Sequence, residues 1–213
     1  MRAIIAFFTL WALMLTPVKA QEADLAVAKS FVTALADDAI TILSTEKTRA
    51  GREAKFAELL DERANMRRIA RFTLGQFGRK ISSEDFAKFE TLLGEFIVKV
   101  YANRLGEYSD EKVTVGKAQA KKKNVIVDSR IEFANGRDPI DIDWWLRLEK
   151  DGSLTLFDVR VLGVWMAQEQ RDAFASVLKI TKVTLTRCST ICANKLEATR
   201  PKARPPPFQN FSN

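Results

Sequence analysis

NVIVDSRIEFANGRDPIDIDWWLRLEKDGSLTLFDVRVLG, residues 124–163, holds the pattern from which the rest of the chain is read. Apolar and polar residues alternate with period two, and β-branched and aromatic side chains dominate, which is the mark of half-buried strands. Asn-Gly at 135–136 and Asp-Gly at 151–152 interrupt the alternation with turn chemistry, and Lys-Lys-Lys-Asn at 121–124 does the same just upstream. With KVTVGKAQA (112–120) in front, the spacing predicts four strands. Short turns join antiparallel neighbours, so the strands form a meander. Val125, Val127, Ile131 and Phe133 share one face, as do Ile140, Ile142, Trp144, Leu146 and Leu148. Asp141, Asp143, Arg147 and Glu149 take the opposite face, with Trp145 among them. On the last strand Phe157, Val159 and Val161 are expected on one face, Leu154 and Leu156 on the other.

A sheet with one strongly apolar face must bury it, and the flanking segments supply matching helices. Leu25, Ala28, Val32, Leu35, Ala39 and Ile42 recur at helical spacing over 23–44. Phe56, Leu59 and Leu60 mark a second, short helix, and Met66, Ile69, Ala70, Thr73 and Phe77 a third. Arg67, Arg68 and Arg71 fall on the solvent side of the third. In SSEDFAKFETLLGEFIVKVYANRL, Ser82 or Ser83 is the expected cap, Glu84 and Asp85 suit the positive helix end, and Phe86, Phe89, Leu93, Phe96, Ile97 and Val100 form a long apolar stripe. A last helix over 164–178 offers Val164, Ala167, Phe174 and Leu178 as buried positions. The expected fold is α+β in one domain over 21–178. N-terminal helices cover one face of a roughly four-stranded antiparallel sheet, a C-terminal helix follows, and the two layers close over either a solid core or a cavity.

The formal charge of +7 invites a nucleic-acid reading, but its distribution argues against one. Residues 1–20 supply +2 and residues 179–213 supply +6, leaving −1 for the body. Histidine is absent, which removes the commonest general base and metal ligand. Paired carboxylates can run acid–base chemistry. Asp141, Asp143 and Asp158 lack any second element that identifies a nucleophile or substrate, and solvated or ion-paired strand faces explain them better. No phosphate-cradling glycine loop or metal-ligand cluster is present in the sequence, so neither catalysis nor a cofactor is expected. Lys121–Lys123 reads as a solvated hairpin tip. Bulky Trp144 and Trp145, a broad apolar face and Phe-rich helices can close over a solid core or over a cavity that buries an apolar ligand. The rivals are an exported enzyme working through those carboxylates and an exported interaction protein with a solid core.

The N-terminus MRAIIAFFTLWALMLTPVKA joins a basic start, an apolar run from Ala3 to Leu15 and small residues before Gln21. That is the three-part pattern of a secretory signal, with cleavage expected near Ala20 and a soluble, monomeric product outside the cytoplasm. The other end, TLTRCSTICANKLEATRPKARPPPF (184–208), carries Cys188, Cys192 and four of the six prolines. It reads as a disordered basic tail.

Two segments carry a family resemblance. FAELLDERANMRRIARFTLGQFGRKISSEDFAKFETLLGEFIVKVYANRLGEY (56–108) and LFDVRVLGVWMAQEQRDAFASVL (156–178) resemble the MlaC-type periplasmic phospholipid-transport, or toluene-tolerance, family. IARFTLG at 69–75 and the late pattern Asp158, Val159, Gly163, Val164, Arg171 and Phe174 are its most specific parts. The resemblance implies a soluble periplasmic shuttle that holds phospholipid tails in an apolar cavity between helices and sheet. It also implies exchange with an inner-membrane ABC transporter complex and an outer-membrane lipoprotein–porin complex, which helps maintain outer-membrane lipid asymmetry. A hopanoid-associated branch looks similar. The lipid-binding residues expected are Ile69, Phe72, Phe96 and Val100 from the helices, and Val127, Ile131, Trp144, Leu146, Phe157 and Val159 from the sheet.

The resemblance stops at Leu178, which suggests a frameshift. Read one base earlier with permitted codons, residues 179–197 yield Glu-Asn-Asn-Lys-Gly-Asp-Val-Asp-Ala-Leu-Phe-Asp-Asp-Leu-Arg-Lys-Gln-Ala and then a stop. That peptide is a turn, a cap and an amphipathic helix, similar to the family's usual C-terminal helix. On this reading residues 179–213 are an aberrant tail and its cysteines are accidental.

Overall fold

The computed structural model describes residues 17–104, 112–134 and 136–180. The expected apolar leader up to residue 16, the side chain of Leu178 and the tail from 181 with Cys188 and Cys192 lie outside the described residues. Five helices and five strands follow in the order α1 (Pro17–Thr45), α2 (Arg49–Arg63), α3 (Met66–Leu74), α4 (Ser83–Arg104), β1 (Lys112–Lys121), β2 (Asn124–Glu132), β3 (Ile140–Leu148), β4 (Leu154–Val161), β5 (Val164–Trp165) and α5 (Met166–Ile180), with a 3-10 turn over Gly75–Arg79. The helix expected from residue 23 begins at Pro17 and runs through the expected cleavage point.

Local chemistry sets the helix starts. Thr48 Oγ1 accepts from the Gly51 amide at 3.0 Å, and Asn65 Oδ1 from the Arg68 amide at 3.0 Å. Ser82, rather than Ser83, caps α4: its Oγ accepts from the Asp85 amide at 3.1 Å and donates to the Asp85 carboxylate at 2.8 Å. Each cap satisfies amides that a helix start leaves without a partner.

The sheet is an antiparallel meander in the order β1-β2-β3-β4-β5. Two irregularities break its period. Gly116 and Lys117 bulge opposite Asp128, and a Cβ on Gly116 would sit 2.8 Å from the Asp128 carboxylate, which would have to shift to admit one. Between β3 and β4, Trp145 pairs with Asp158 but Leu146 with Leu156, so Phe157 is the extra residue. The strict alternation expected on β4 therefore fails at Leu156 and Phe157.

The fifth strand also departs from expectation. Leu162 and Gly163 both have positive φ, 49° and 83°, and make a two-residue turn that folds Val164 and Trp165 back on β4. The last helix starts at Met166 instead of 164, and Val164 is exposed rather than buried.

The first half of α1 packs on the sheet: Ala28 and Val32 meet Val125, Val127 and Leu146, all buried. A second core joins Ile69, Ala70 and Leu74 of α3, Phe86, Phe89 and Leu93 of α4, and Phe174 of α5, with Phe157 of β4. Ala64, between α2 and α3, forms a parallel bridge with Leu156 on the edge of β4. The three arginines of α3 are more engaged than a solvated face implies. Arg68 pairs with Glu149 at 2.7 Å, Arg67 reaches Glu90 at 3.6 Å, and Arg71 lies 4.1 Å from the centroid of the Phe86 ring. Trp145 shares its strand face with Asp143 and Arg147 but is half-buried, edge-on to Phe157 and Trp165 at 4.9 and 5.6 Å.

Candidate functional site

An apolar cavity of about 310 Å³ opens between the helices and one end of the sheet. Its sheet wall includes Val113 of β1, Ile131 of β2, Ile140, Ile142 and Trp144 of β3, and Val159 and Val161 of β4. The register places these residues side by side, since Val113 lies opposite Ile131, Ile131 opposite Ile140, and Ile142 opposite Val161. This is the end of the sheet where β2 turns into β3. At the other end α1 lies directly on the strands and leaves no room.

The second half of α1 forms the facing wall with Leu35, Ala36, Ala39, Ile40 and Leu43. Phe56, Leu59 and Leu60 of α2 join it, as do Leu93, Ile97, Val98 and Ala102 of α4. None of α2's residues is buried. Its apolar stripe is half-covered because it faces a void instead of a packed partner.

Of the ten residues expected to bind lipid, five lie on the wall: Ile69, Ile131, Trp144, Phe157 and Val159. The other five lie elsewhere. Val127 and Leu146, each 0% exposed, sit under the first half of α1. Phe72 backs Phe157 edge-on at 5.2 Å, with the Arg171 guanidinium 4.9 Å from its ring centroid. Phe96 packs on the α3–α4–α5 core, and Val100 is half-buried off the wall. The wall residues of α1 and α2 were absent from that expectation, although their stripes were visible. What the sequence lacked was the height at which each stripe crosses the sheet.

Polar groups on the wall are few. Trp144 lends its ring to the cavity while its Nε1 donates to Ser129 Oγ at 2.8 Å, so the polar end of the indole is satisfied within the sheet. Thr73 returns its hydroxyl proton to the Ala70 carbonyl at 3.0 Å. Arg63 and Gln170 are the remaining long polar side chains.

Asp158 is the exception among the three strand carboxylates. Asp141 and Asp143 form the expected ion pairs, with Arg130 at 2.7 Å and with Arg160. Asp158 is buried against the cavity, and its Oδ1 accepts from the amides of Ala167 at 2.7 Å and Val159 at 2.8 Å. It therefore caps α5 from a distance. Burial pushes its carboxyl above the usual range, against those amides, which act to lower it. Among the described residues no group of three or more Cys, Asp or Glu could hold a metal, and no helix is long and apolar enough to cross a membrane.

Known proteins share this architecture. The phospholipid-binding protein from Ralstonia solanacearum, solved in complex with a phospholipid, superposes with a TM-score of 0.70 over 80% of this chain and 97% of that one, at 19% identity. That likeness is one of fold. A curated relative, the intermembrane phospholipid transport system binding protein MlaC of Haemophilus influenzae, is 28% identical over 108 residues, 49% of this chain. The match spans about half the length of that relative, 50%. The family model described as MlaC protein matches residues 33–184, which takes in every residue of the cavity wall. The chain belongs to the MlaC family.

Proposed function

We propose that this protein is a periplasmic carrier that encloses the acyl chains of a phospholipid in the cavity between α1, α2, α4 and the sheet. It moves the lipid between the outer and inner membranes. The observation that carries this reading is a cavity of about 310 Å³ lined almost wholly by aliphatic and aromatic side chains. Exposing an acyl chain to water costs roughly 0.8 kcal/mol per methylene, so an apolar enclosure supplies a driving force for carriage without any covalent chemistry. No covalent step is involved, and the reading assigns no catalysis. Its support from relatives is that one is named for intermembrane phospholipid transport and another was solved with a phospholipid. An inner-membrane ABC transporter complex and an outer-membrane lipoprotein–porin complex are the proposed exchange partners. Export through a leader cleaved near Ala20, and a frameshifted origin for residues 179–213, belong to the same proposal.

Native mass spectrometry tests the carrier reading. The full chain, exported and purified without detergent, is expected to carry one phospholipid per protein. A hopanoid in its place would change the cargo but keep the carrier. A clean lipid-free mass that refuses added phospholipid would return the protein to the interaction-module class.

A further inference from the structure

Arg63 is the one cation on the cavity wall among the described residues. It ends α2, and its Nη2 donates to Asp38 Oδ2 of α1 at 2.8 Å. Its guanidinium carbon lies 5.9 Å from the Phe31 ring centroid. Its Nε is buried and has no acceptor. The side chain of Arg63 is 30% exposed and that of Asp38 is 44% exposed. The pair thus stands where the apolar cavity meets water, in the seam between α1 and α2.

A guanidinium beside an apolar void needs anionic acceptors, and Asp38 supplies one while leaving Nε unused. Asp38 is the more exposed partner, so it can return to water at small cost. The one carboxyl on the wall among the described residues, Asp158, is turned to the amides of α5 and would repel an anion. Charge therefore divides the cavity: an anion is accepted on the α1–α2 side and disfavoured on the α5 side.

From this geometry we infer that Arg63 anchors the phosphate of the bound lipid, and that Asp38 is the stand-in that holds Arg63 when the cavity is empty. On loading, the phosphate takes the Nη2 and Nε protons as a parallel pair, the arrangement in which Arg outperforms Lys. Asp38 is released to solvent. The chains then run from the seam toward Ile142, Trp144 and Val161. The inference rests on the carrier reading and adds a headgroup requirement to it.

The test compares two lipids with identical chains, dioleoyl phosphatidylglycerol and dioleoylglycerol, binding to the full-length protein. A charge-assisted pair of this kind is expected to give the phosphate-bearing lipid a preference of about tenfold or more. Arg63→Gln should remove most of that preference while dioleoylglycerol still binds, which also shows that the variant folds. Asp38→Asn removes the competitor and should tighten phosphatidylglycerol several-fold with no change for dioleoylglycerol. Millimolar inorganic phosphate should leave bound phosphatidylglycerol in place, because anion and chains form one ligand. Equal binding of the two lipids by the wild type overturns the anchor, as do equal losses for both lipids in Arg63→Gln, an unchanged Asp38→Asn, or displacement by phosphate alone. Failure of the wild type to bind either lipid overturns the carrier reading itself, and so is told apart from failure of the anchor.

Discussion

Asp158 shows how far one residue can be read from its neighbours in sequence. Between Phe157 and Val159 on a strand, it looks like a solvated or ion-paired carboxylate, as Asp141 and Asp143 are. Its partner is the amide of Ala167, nine positions on, brought back by a turn whose Leu162 and Gly163 both have positive φ. Nothing local signals that return except the Leu-Gly pair. The folded carboxyl lies above its ordinary value, chiefly because of burial, so the folded state holds the proton more tightly than the unfolded chain. The stability cost of ionising it is absent below the unfolded value. It grows as pH rises through the folded value and is constant above. Asp158→Asn keeps an oxygen for both amides and removes the titration. Its unfolding free energy in urea should therefore lack this fall with rising pH. Asp158→Ala also loses the cap, and an additional loss of about 0.5–2 kcal/mol at neutral pH is expected from that alone. Wild-type and Asn variants with identical pH profiles would remove the burial argument.

Among elements, α1 was the most legible in kind and the least legible in role. Its apolar spacing predicts a helix with one buried stripe, and the structure has one. The stripe does two different jobs along its length. Ala28 and Val32 are wholly buried on β2 and β3, whereas Ala39, Ile40 and Leu43 are half-buried and face the cavity. Periodicity is the same in both halves, so no sequence pattern separates packed from hollow. That depends on where along the sheet the helix lies on the strands, and on the extra residue at Phe157 that turns two successive β4 side chains to the cavity. The same limit explains why Val127 and Leu146 sit in a packed layer while Ile131 and Trp144, two or more positions along the same strands, line the void. A paired substitution tests this division. Ala28→Phe overpacks a filled layer and should destabilise the fold by about 1–3 kcal/mol in denaturant melts. Ala39→Phe enters the void, should change stability by no more than about 0.5 kcal/mol, and should sharply weaken lipid binding. Equal destabilisation by the two would mean that the void is closed in solution.

For the whole molecule the void has a thermodynamic consequence. Apolar surface in α2 and the second half of α1 is left without a packed partner, so the lipid-free fold forgoes stabilisation that a filled core of this size would have. A ligand that occupies the void supplies those contacts, and any ligand that binds only the folded state raises stability by mass action. At a free lipid concentration one hundred times its dissociation constant the gain is about 2.7 kcal/mol. For a fold of this size each kcal/mol moves the melting temperature by roughly 2–4 °C. Loaded protein should therefore melt about 5–10 °C above delipidated protein in calorimetry, with the shift growing as lipid is added. The proposed carriage also requires release, and the placement of the polar groups bears on how. The Asp38–Arg63 pair joins α1 to α2 at the seam, and solvent reaches both partners. An ion pair so exposed contributes little to holding the helices together. The seam can part there without breaking either of the dry cores, that under the first half of α1 or that among α3, α4 and α5. The melting shift should accordingly survive Arg63→Gln when dioleoylglycerol is the ligand, because the chains supply the stabilisation. A shift that vanished with every ligand in that variant would place the energy of loading at the seam instead of in the void.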